Sequence, residues 1–265
     1  MSQPLQRLQQ VATHLNPLKS RKDEILSKNP DDIVITCALR SALTKARGGA
    51  LSSTSIEDLL VAVLTGVKER SKIDPAVVEE IVFGNVLEPR VNYISRGAAL
   101  AAGFPDTTAT SVASRWCSSG LLATQSVANQ IASGGIEVGL AVGVESMSQN
   151  PDDGAPTFGS KITSHPVAKD ISMPMGWTSE NLAGDFGITR EEQDEWAAES
   201  SQKAEKAQRE GWTKDEIYPI TTTLKNPKTG ETKTVVADRD DGVRAGTTKE
   251  KLAGIRKAFP QWPPR

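Results

Sequence analysis

Between residues 32 and 148 the hydrophobic positions follow two alternating patterns. Short continuous apolar runs predict buried strands at residues 33–38, 81–87 and 138–144. The segments between them carry apolar residues at helical spacing and predict helices at residues 55–64, 75–80 and 93–103. Ser55 is an N-cap candidate for the first helix, and Gly103 is a stop signal for the last. Strands that alternate with such helices predict βαβ units, a parallel sheet and an α/β fold class.

A cysteine follows the β-prone run at residues 110–114. Cys117 opens a segment with an apolar helical face, and Gly134 ends that segment. This pattern places the thiol at a helix N-terminus, where unpaired N–H groups and the helix dipole favour the thiolate. The alternative is a free cysteine that packs as a small hydrophobic residue. Local sequence leaves both interpretations open.

Beyond residue 149 the pattern becomes irregular. Pro, Asp and Gly are dense at residues 150–174, two helices are predicted at residues 177–186 and 191–211, and β-branched residues alternate with polar ones at residues 217–237. We therefore predict four parts. They are a disordered leader at residues 1–30, a core at 31–146, an irregular α+β unit at 147–255 and a tail at 256–265.

Composition narrows the possible functions. The chain has 265 residues and a net charge of -2, which gives no indication of nucleic acid or an anionic membrane as a partner. Its two cysteines, Cys37 and Cys117, do not form a disulfide framework, and Cys37 is expected in the core. With two histidines a Cys/His zinc site is not expected, so no metal is predicted. No apolar run is long enough to span a bilayer.

The polar leader contains two dipeptides at a recognisable spacing. Arg7 and Leu8 are followed after five residues by His14 and Leu15, which resembles the type-2 peroxisomal targeting signal. On a helix, Leu8, Val11 and Leu15 share one face that suits a receptor groove. This predicts a peroxisomal location and an import receptor as partner, with a chance match in a tail as the alternative.

Six separated motifs together resemble the thiolase family, most closely its peroxisomal 3-ketoacyl-CoA members. They occur in the family's order at residues 84–87, 117–121, 143–147, 173–181, 193–194 and 241–244. One local departure is Ser114, where the family often has Asn. The resemblance implies a thiolase-like fold, of which this chain would hold the N-terminal half: an incomplete, mostly parallel mixed sheet with helices on both faces, plus the loop domain at residues 147–255 that covers CoA.

The resemblance also implies a chemistry. Cys117 would accept the acyl group of a 3-ketoacyl-CoA, acetyl-CoA would leave, and a second CoA would remove the acyl group, as in thiolytic cleavage during fatty acid β-oxidation. Met175 would contact the pantetheine or acyl end, and Arg244 would lie against the adenosine part. Coenzyme A would be a co-substrate rather than a permanently bound cofactor, and the family forms homodimers. A non-catalytic interaction module and a biosynthetic acetoacetyl-CoA thiolase are the alternatives.

The chain stops where the family continues into a second α/β half. That half carries a Gly-His-Pro motif, whose His activates the nucleophile, and a second catalytic Cys, and neither His14, His165 nor Cys37 maps onto those positions. The resemblance further implies that the strand at residues 138–144 keeps an unpaired edge, which favours association.

We predict that this polypeptide alone shows no measurable thiolysis. Loss of a catalytic base lowers a rate by a factor on the order of 10²–10⁴, and loss of oxyanion donors lowers it further. A coupled 3-ketoacyl-CoA cleavage assay on the purified chain checks this. Turnover above background would contradict it.

Overall fold

The computed structural model describes residues 26–226 and 228–259. The signal-like residues Arg7, Leu8, His14 and Leu15 lie outside the described residues, as do residues 260–265 of the predicted tail. The chain divides into two compact units, residues 1–35 and 36–265. In the described part of the first unit, Asn29 and Asp32 close a turn, in which the Asp32 N–H donates to the Asn29 carbonyl at 3.1 Å.

The described elements alternate in type up to residue 143 and then become irregular. The helices are α1 (Ile56–Ser71), α2 (Val91–Ala101), α3 (Ser119–Ala132), α4 (Ser160–Thr163), α5 (Met175–Phe186), α6 (Arg190–Arg209) and α7 (Lys249–Ala253), with 3-10 turns at Pro75–Val77 and Ala168–Ser172. The strands are β1 (Glu80–Gly84), β2 (Ala109–Ala113), β3 (Gly139–Gly143), β4 (Ile220–Lys225) and β5 (Thr232–Ala237).

The predicted parallel sheet is present, with β1 at its centre. The strand order is β2-β1-β3, and Ile81 of β1 lies opposite Thr110 of β2 and Leu140 of β3. All three strands are parallel, so their carboxyl ends lie at one edge of the sheet. Within the described residues β3 pairs with β1 alone.

Side chains of β1 alternate between the two faces of the sheet. Ile81 and Phe83 are fully buried in a cluster with residues of α1 and α2, whereas Val82 packs with Ala123 and Val127 of α3. The period of two along a strand explains this alternation. The sheet is therefore covered by helices on both faces, as the sequence predicts.

The hairpin of β4 and β5 packs against the outer side of α1. Ile220 and Ala237 face each other in its antiparallel register and share a buried cluster with Ala42, Leu51 and Ile217. Apolar residues of α1 at positions 59, 62 and 63 contact this cluster. A second core is thus assembled from residues nearly 200 positions apart, and the predicted boundaries of the loop domain stay a prediction.

Local signals account for several helix boundaries. The Ser55 side chain accepts the Asp58 N–H at 3.0 Å and caps α1, as predicted. Thr189 and Glu192 form a capping box at the start of α6. Gly103 and Gly134, both at positive φ, follow the ends of α2 and α3. The predicted helix at residues 75–80 is wrong in extent, because only the 3-10 turn Pro75–Val77 forms before β1.

The predicted buried strand at residues 33–38 is wrong. Ile33, Val34 and Ile35 are exposed, and no strand in the described residues pairs with this run. Without a neighbouring ladder an apolar run has nothing to bury against. Cys37, expected in the core, is only half-buried for the same reason. Sheet-like pairing begins at Arg40, whose N–H donates to the Glu216 carbonyl at 2.8 Å.

The first turn of α3 lies directly against the carboxyl ends of two strands, and glycine makes this approach possible. A Cβ placed on Gly84 would lie 2.5 Å from the backbone C and O atoms of Ser119, and one on Gly143 would lie 3.5 Å from the Gly120 Cα. The contact is therefore backbone to backbone, and it sets the height of α3 above the sheet.

In the part of the chain that the structure describes, no helix combines the length and the apolar character needed to cross a membrane. Charged residues and amides face outward along α6, whose buried positions are limited to Asp194 and Ala198. Its charge run forms a solvated face.

Replacing Gly84 with Ala should destabilise the fold. The added Cβ would meet helix backbone, which cannot rotate away, so the free energy of unfolding should fall by about 2 kcal/mol. Gly97→Ala is the matched control, because Gly97 lies on the exposed face of α2 with nothing within 4 Å of its Cβ position. There, Ala should raise the free energy of unfolding by roughly 0.5–1 kcal/mol. Denaturant titrations measure the free energy of unfolding of both variants. Equal effects of the two substitutions would contradict the close approach of α3 to Gly84.

Candidate active site

Cys117 lies between the carboxyl end of β2 and the start of α3. Ser118 is the N-cap residue of α3 and makes no hydrogen bond to the first turn with its side chain. The Cys117 side chain is exposed, so the alternative of a cysteine packed as a small core residue is wrong. The predicted placement of the thiol at a helix N-terminus is confirmed.

The turn that presents Cys117 is held by hydrogen bonds within five residues. The Arg115 N–H donates to Ser119 Oγ at 2.8 Å, and the Ser119 hydroxyl donates to the Trp116 carbonyl at 2.6 Å. The backbone N–H of Ser118 donates to the Arg115 carbonyl at 3.0 Å. Ser119 is buried, and the sequence patterns did not single out its structural role.

Trp116 has an unfavourable backbone conformation. Its φ is +50°, in the left-handed region that a bulky residue seldom occupies, and its side chain is exposed. Such a conformation costs on the order of 1–3 kcal/mol and persists only where surrounding bonds enforce it. Here the hydrogen bonds to Ser119 enforce it, and the turn directs the chain abruptly from β2 into α3 at the thiol.

A polar cluster ties the carboxyl ends of β1 and β3 together beside this turn. The Glu145 carboxylate accepts the N–H groups of Val86 at 3.0 Å and Leu87 at 3.3 Å, together with the Asn85 side-chain amide at 3.1 Å. The same Asn85 amide donates to the Val144 carbonyl at 2.8 Å. The motifs at residues 84–87 and 143–147 therefore form one hydrogen-bonded unit.

Glu88 extends this cluster and is buried. It accepts the Arg90 N–H at 3.0 Å and the Asn150 side-chain amide at 2.7 Å. The bond from the Arg90 backbone N–H lowers the pKa of Glu88 below its usual value, since it stabilises the charged form more than burial disfavours it. Sequence patterns singled out neither Glu88 nor Asn150, because a lone Glu next to a loop carries no distinctive signal.

Met175 is the first residue of α5 and is largely exposed. Pro174 precedes it at the N-cap position. Because proline has no backbone N–H, it leaves no unpaired donor at this helix start. The ring of Phe259 covers the next residue, and a Cβ on Gly176 would lie 2.1 Å from Phe259 Cζ. The side chain of Met175 is thus exposed, while the next residue of the same helix turn packs against Phe259.

Arg244 lies in the loop between β5 and α7. Its side chain is exposed, and within the described residues no hydrogen bond or ion pair involves its guanidinium. Its carbonyl accepts the Thr247 hydroxyl at 3.0 Å, and the nearby Gly246 N–H donates to Glu205 of α6 at 2.9 Å. The backbone around Arg244 is fixed while its charge stays available to a ligand.

The three candidate residues lie on three separate elements of one unit, and no hydrogen bond joins them in the described residues. His165 is engaged locally, where its Nδ1 atom accepts the N–H groups of Val167 at 3.2 Å and Ala168 at 3.1 Å. Across residues 26–226 and 228–259 no group of three or more His, Cys, Asp or Glu side chains is arranged to hold a metal ion.

The chain resembles known proteins over most of its length. The family model described as the thiolase N-terminal domain matches residues 33–262. The chain is 44% identical over 260 residues to the peroxisomal 3-ketoacyl-CoA thiolase of Yarrowia lipolytica, covering 96% of this chain and 62% of that protein. It is 43% identical over 261 residues to peroxisomal 3-ketoacyl-CoA thiolase A of Candida tropicalis, with the same coverage.

Solved structures show the same fold. The crystal structure of the dimeric peroxisomal thiolase of Saccharomyces cerevisiae has a TM-score of 0.80 and 38% identity, covering 90% of this chain and 61% of that chain. The Bacillus anthracis acetyl-CoA acetyltransferase has a TM-score of 0.72 and 38% identity, covering 85% and 58%. The chain thus spans about three fifths of the length of these relatives. With a thiolase fold and a family match over most of its length, the chain belongs to the thiolase family and carries its N-terminal domain.

Proposed function

We propose that the chain belongs to an acyltransferase of fatty acid β-oxidation that cleaves 3-ketoacyl-CoA by thiolysis, with Cys117 as the acyl-accepting nucleophile. One observation carries this proposal: an exposed thiol stands at the start of α3, at the carboxyl edge of a parallel sheet. The names of the relatives from Yarrowia and Candida support the choice of 3-ketoacyl-CoA as substrate.

The proposed reaction has two half-reactions. In the first, the Cys117 thiolate attacks the 3-keto carbonyl, the bond between carbons 2 and 3 breaks, and carbon 2 takes up a proton as acetyl-CoA leaves. In the second, the thiol of a new CoA attacks the Cys117 thioester, releases the shortened acyl-CoA and returns the thiol. The acyl-enzyme divides one difficult step into two easier ones.

Two further residues would hold the substrate. Met175 would contact the pantetheine or acyl end, a role its outward-facing thioether suits, and the exposed guanidinium of Arg244 would lie against the adenosine part. CoA would act as a co-substrate and would not stay bound. The residues at 147–255 would form the domain that covers it.

The location and assembly of the protein are also proposals. The relatives are named peroxisomal, and Arg7, Leu8, His14 and Leu15 have the spacing of a type-2 signal, so we expect an import receptor to bind the leader. The Saccharomyces thiolase is described as dimeric, which supports a homodimer. Peroxisomal import of a fluorescent protein fused to residues 1–30, and its loss in the His14→Ala variant, would test the signal.

A biosynthetic acetyl-CoA acetyltransferase is the second candidate, because the Bacillus anthracis enzyme of that name has the same fold at 38% identity. Acyl donors of different length separate the two. A degradative enzyme should transfer octanoyl as well as acetyl groups, whereas a biosynthetic one should accept acetyl alone.

Acyl transfer to Cys117 is the direct test. When the purified chain is incubated with acetyl-CoA, we expect one acetyl group on Cys117, because its exposed thiol can exchange with a thioester without the carbon–carbon cleavage step. Peptide mass spectrometry after digestion locates the group. The Cys37→Ser variant is the matched control and should be acetylated as the wild type is, while Cys117→Ser should stay unmodified. Acetylation of Cys37, or of neither cysteine, would overturn the proposal.

A further inference from the structure

Arg40 makes a two-pronged ion pair that joins distant parts of the chain. Its Nη1 and Nη2 atoms donate to the two carboxylate oxygens of Asp240 at 2.7 Å and 2.8 Å, and its Nε donates to Glu216 at 2.8 Å. The Asp240 side chain is 18% exposed and that of Arg40 is 29% exposed. A bidentate pair in a half-buried setting fixes both position and orientation.

The ionisation of this pair follows from its geometry. The hydrogen bond from Arg40 is the largest influence that lowers the pKa of Asp240 below its ordinary value, and the bond to Asp240 is the largest that raises the pKa of Arg40. Both groups therefore stay charged at neutral pH, and the pair persists over the physiological range.

Two neighbouring acidic residues also accept hydrogen bonds from backbone N–H groups. Asp240 Oδ1 also accepts the Leu43 N–H at 2.7 Å, and Asp241 Oδ1 accepts the Lys45 N–H at 2.7 Å. The Asp241 N–H in turn donates to the Leu43 carbonyl at 3.2 Å. The loop that follows β5 is thereby attached to residues 40–45.

The same loop is attached to α6 on its other side. Gln208 donates to the Asp240 carbonyl at 2.7 Å, and Glu205 accepts the Gly246 N–H at 2.9 Å. Arg244 lies between these attachments, with a fixed backbone and an exposed, unpaired guanidinium within the described residues. A charged group held in this way loses little conformational freedom when a ligand binds.

We infer that Arg40 is a positioning residue, which acts through Asp240 to hold the Arg244 loop in place for the adenosine nucleotide of CoA. The inference rests on the proposed function, because that assigns Arg244 to the adenosine part. Removal of Arg40 would leave a half-buried carboxylate without its cation and would weaken the attachment at one end of the loop. The loop and the side chain of Arg244 would then become ordered only when CoA binds, and the lost conformational entropy would weaken binding.

Two acyl donors separate positioning from general damage to the fold. The rate of Cys117 acetylation is measured with acetyl-CoA and with acetyl-pantetheine, which lacks the adenosine nucleotide. At donor concentrations below saturation, the Arg40→Gln variant should lose about tenfold in rate with acetyl-CoA, equivalent to ordering roughly one or two side chains, and should match the wild type with acetyl-pantetheine. Equal losses with both donors would overturn the inference.

A double variant tests whether the effect passes through Arg244. Arg40→Gln combined with Arg244→Gln should be no slower with acetyl-CoA than Arg244→Gln alone, since a shared route makes the two losses non-additive. If the rate loss of the double variant instead equals the product of the two single-variant losses, the inference is overturned. Lys249→Gln, which breaks the exposed ion pair with Glu195 at 3.0 Å, is the control and should have no effect.

Two outcomes separate this inference from the proposed function. If the wild type is acetylated by neither donor, the proposed function fails, and the inference fails with it. If the wild type prefers acetyl-CoA and Arg40→Gln keeps that preference, only the inference fails. Should Arg40→Gln not fold, Arg40→Lys retains the charge without the two-pronged geometry and is expected to show a smaller loss confined to acetyl-CoA.

Discussion

The close approach of α3 to the carboxyl ends of β1 and β3 is the constraint on which the site depends. Because Gly84, Gly120 and Gly143 bring backbone against backbone, the first turn of α3 is seated directly on the sheet. The turn before it then has five residues in which to leave β2 and enter the helix, and Trp116 takes up a left-handed conformation to do so. The exposure of Cys117 follows from this short path.

Four carboxylates near the candidate site hold loop backbone in place. Glu145 and Glu88 accept N–H groups of the loop after β1, and Asp240 and Asp241 accept N–H groups of residues 43 and 45 from the loop after β5. Each of these loops would otherwise leave donors without partners near the core. The nearly balanced net charge of -2 therefore conceals a specific use of acidic residues at the loops that carry the candidate site.

Local patterns were sufficient where an element depends on its own sequence. The start of α1, the boundaries of α3, the run that forms β1 and the place of Cys117 at a helix start follow from caps, stop signals and periodicity, whereas α1 continues to Ser71, seven residues beyond its predicted end. The run at residues 33–38 was misjudged because burial of a strand depends on a neighbour, which periodicity does not report. The pairing of Arg40 with Asp240 spans 200 positions and leaves no local trace. Met175 and Arg244 became candidates through family resemblance alone, since an exposed Met or Arg has no distinctive chemistry of its own.

The order of the strands has a consequence for how the chain folds. The central strand β1 precedes both of its neighbours in sequence, so β2 and β3 can add to its two sides in turn as the chain lengthens. The sheet with α2 and α3 needs only residues up to about 143, whereas the cluster around Ala42 and Leu51 waits for the hairpin nearly 200 residues later. During synthesis, a segment near the N-terminus thus remains without its apolar partners long after the sheet beside it has formed, and this interval is when the nascent chain is most exposed to aggregation.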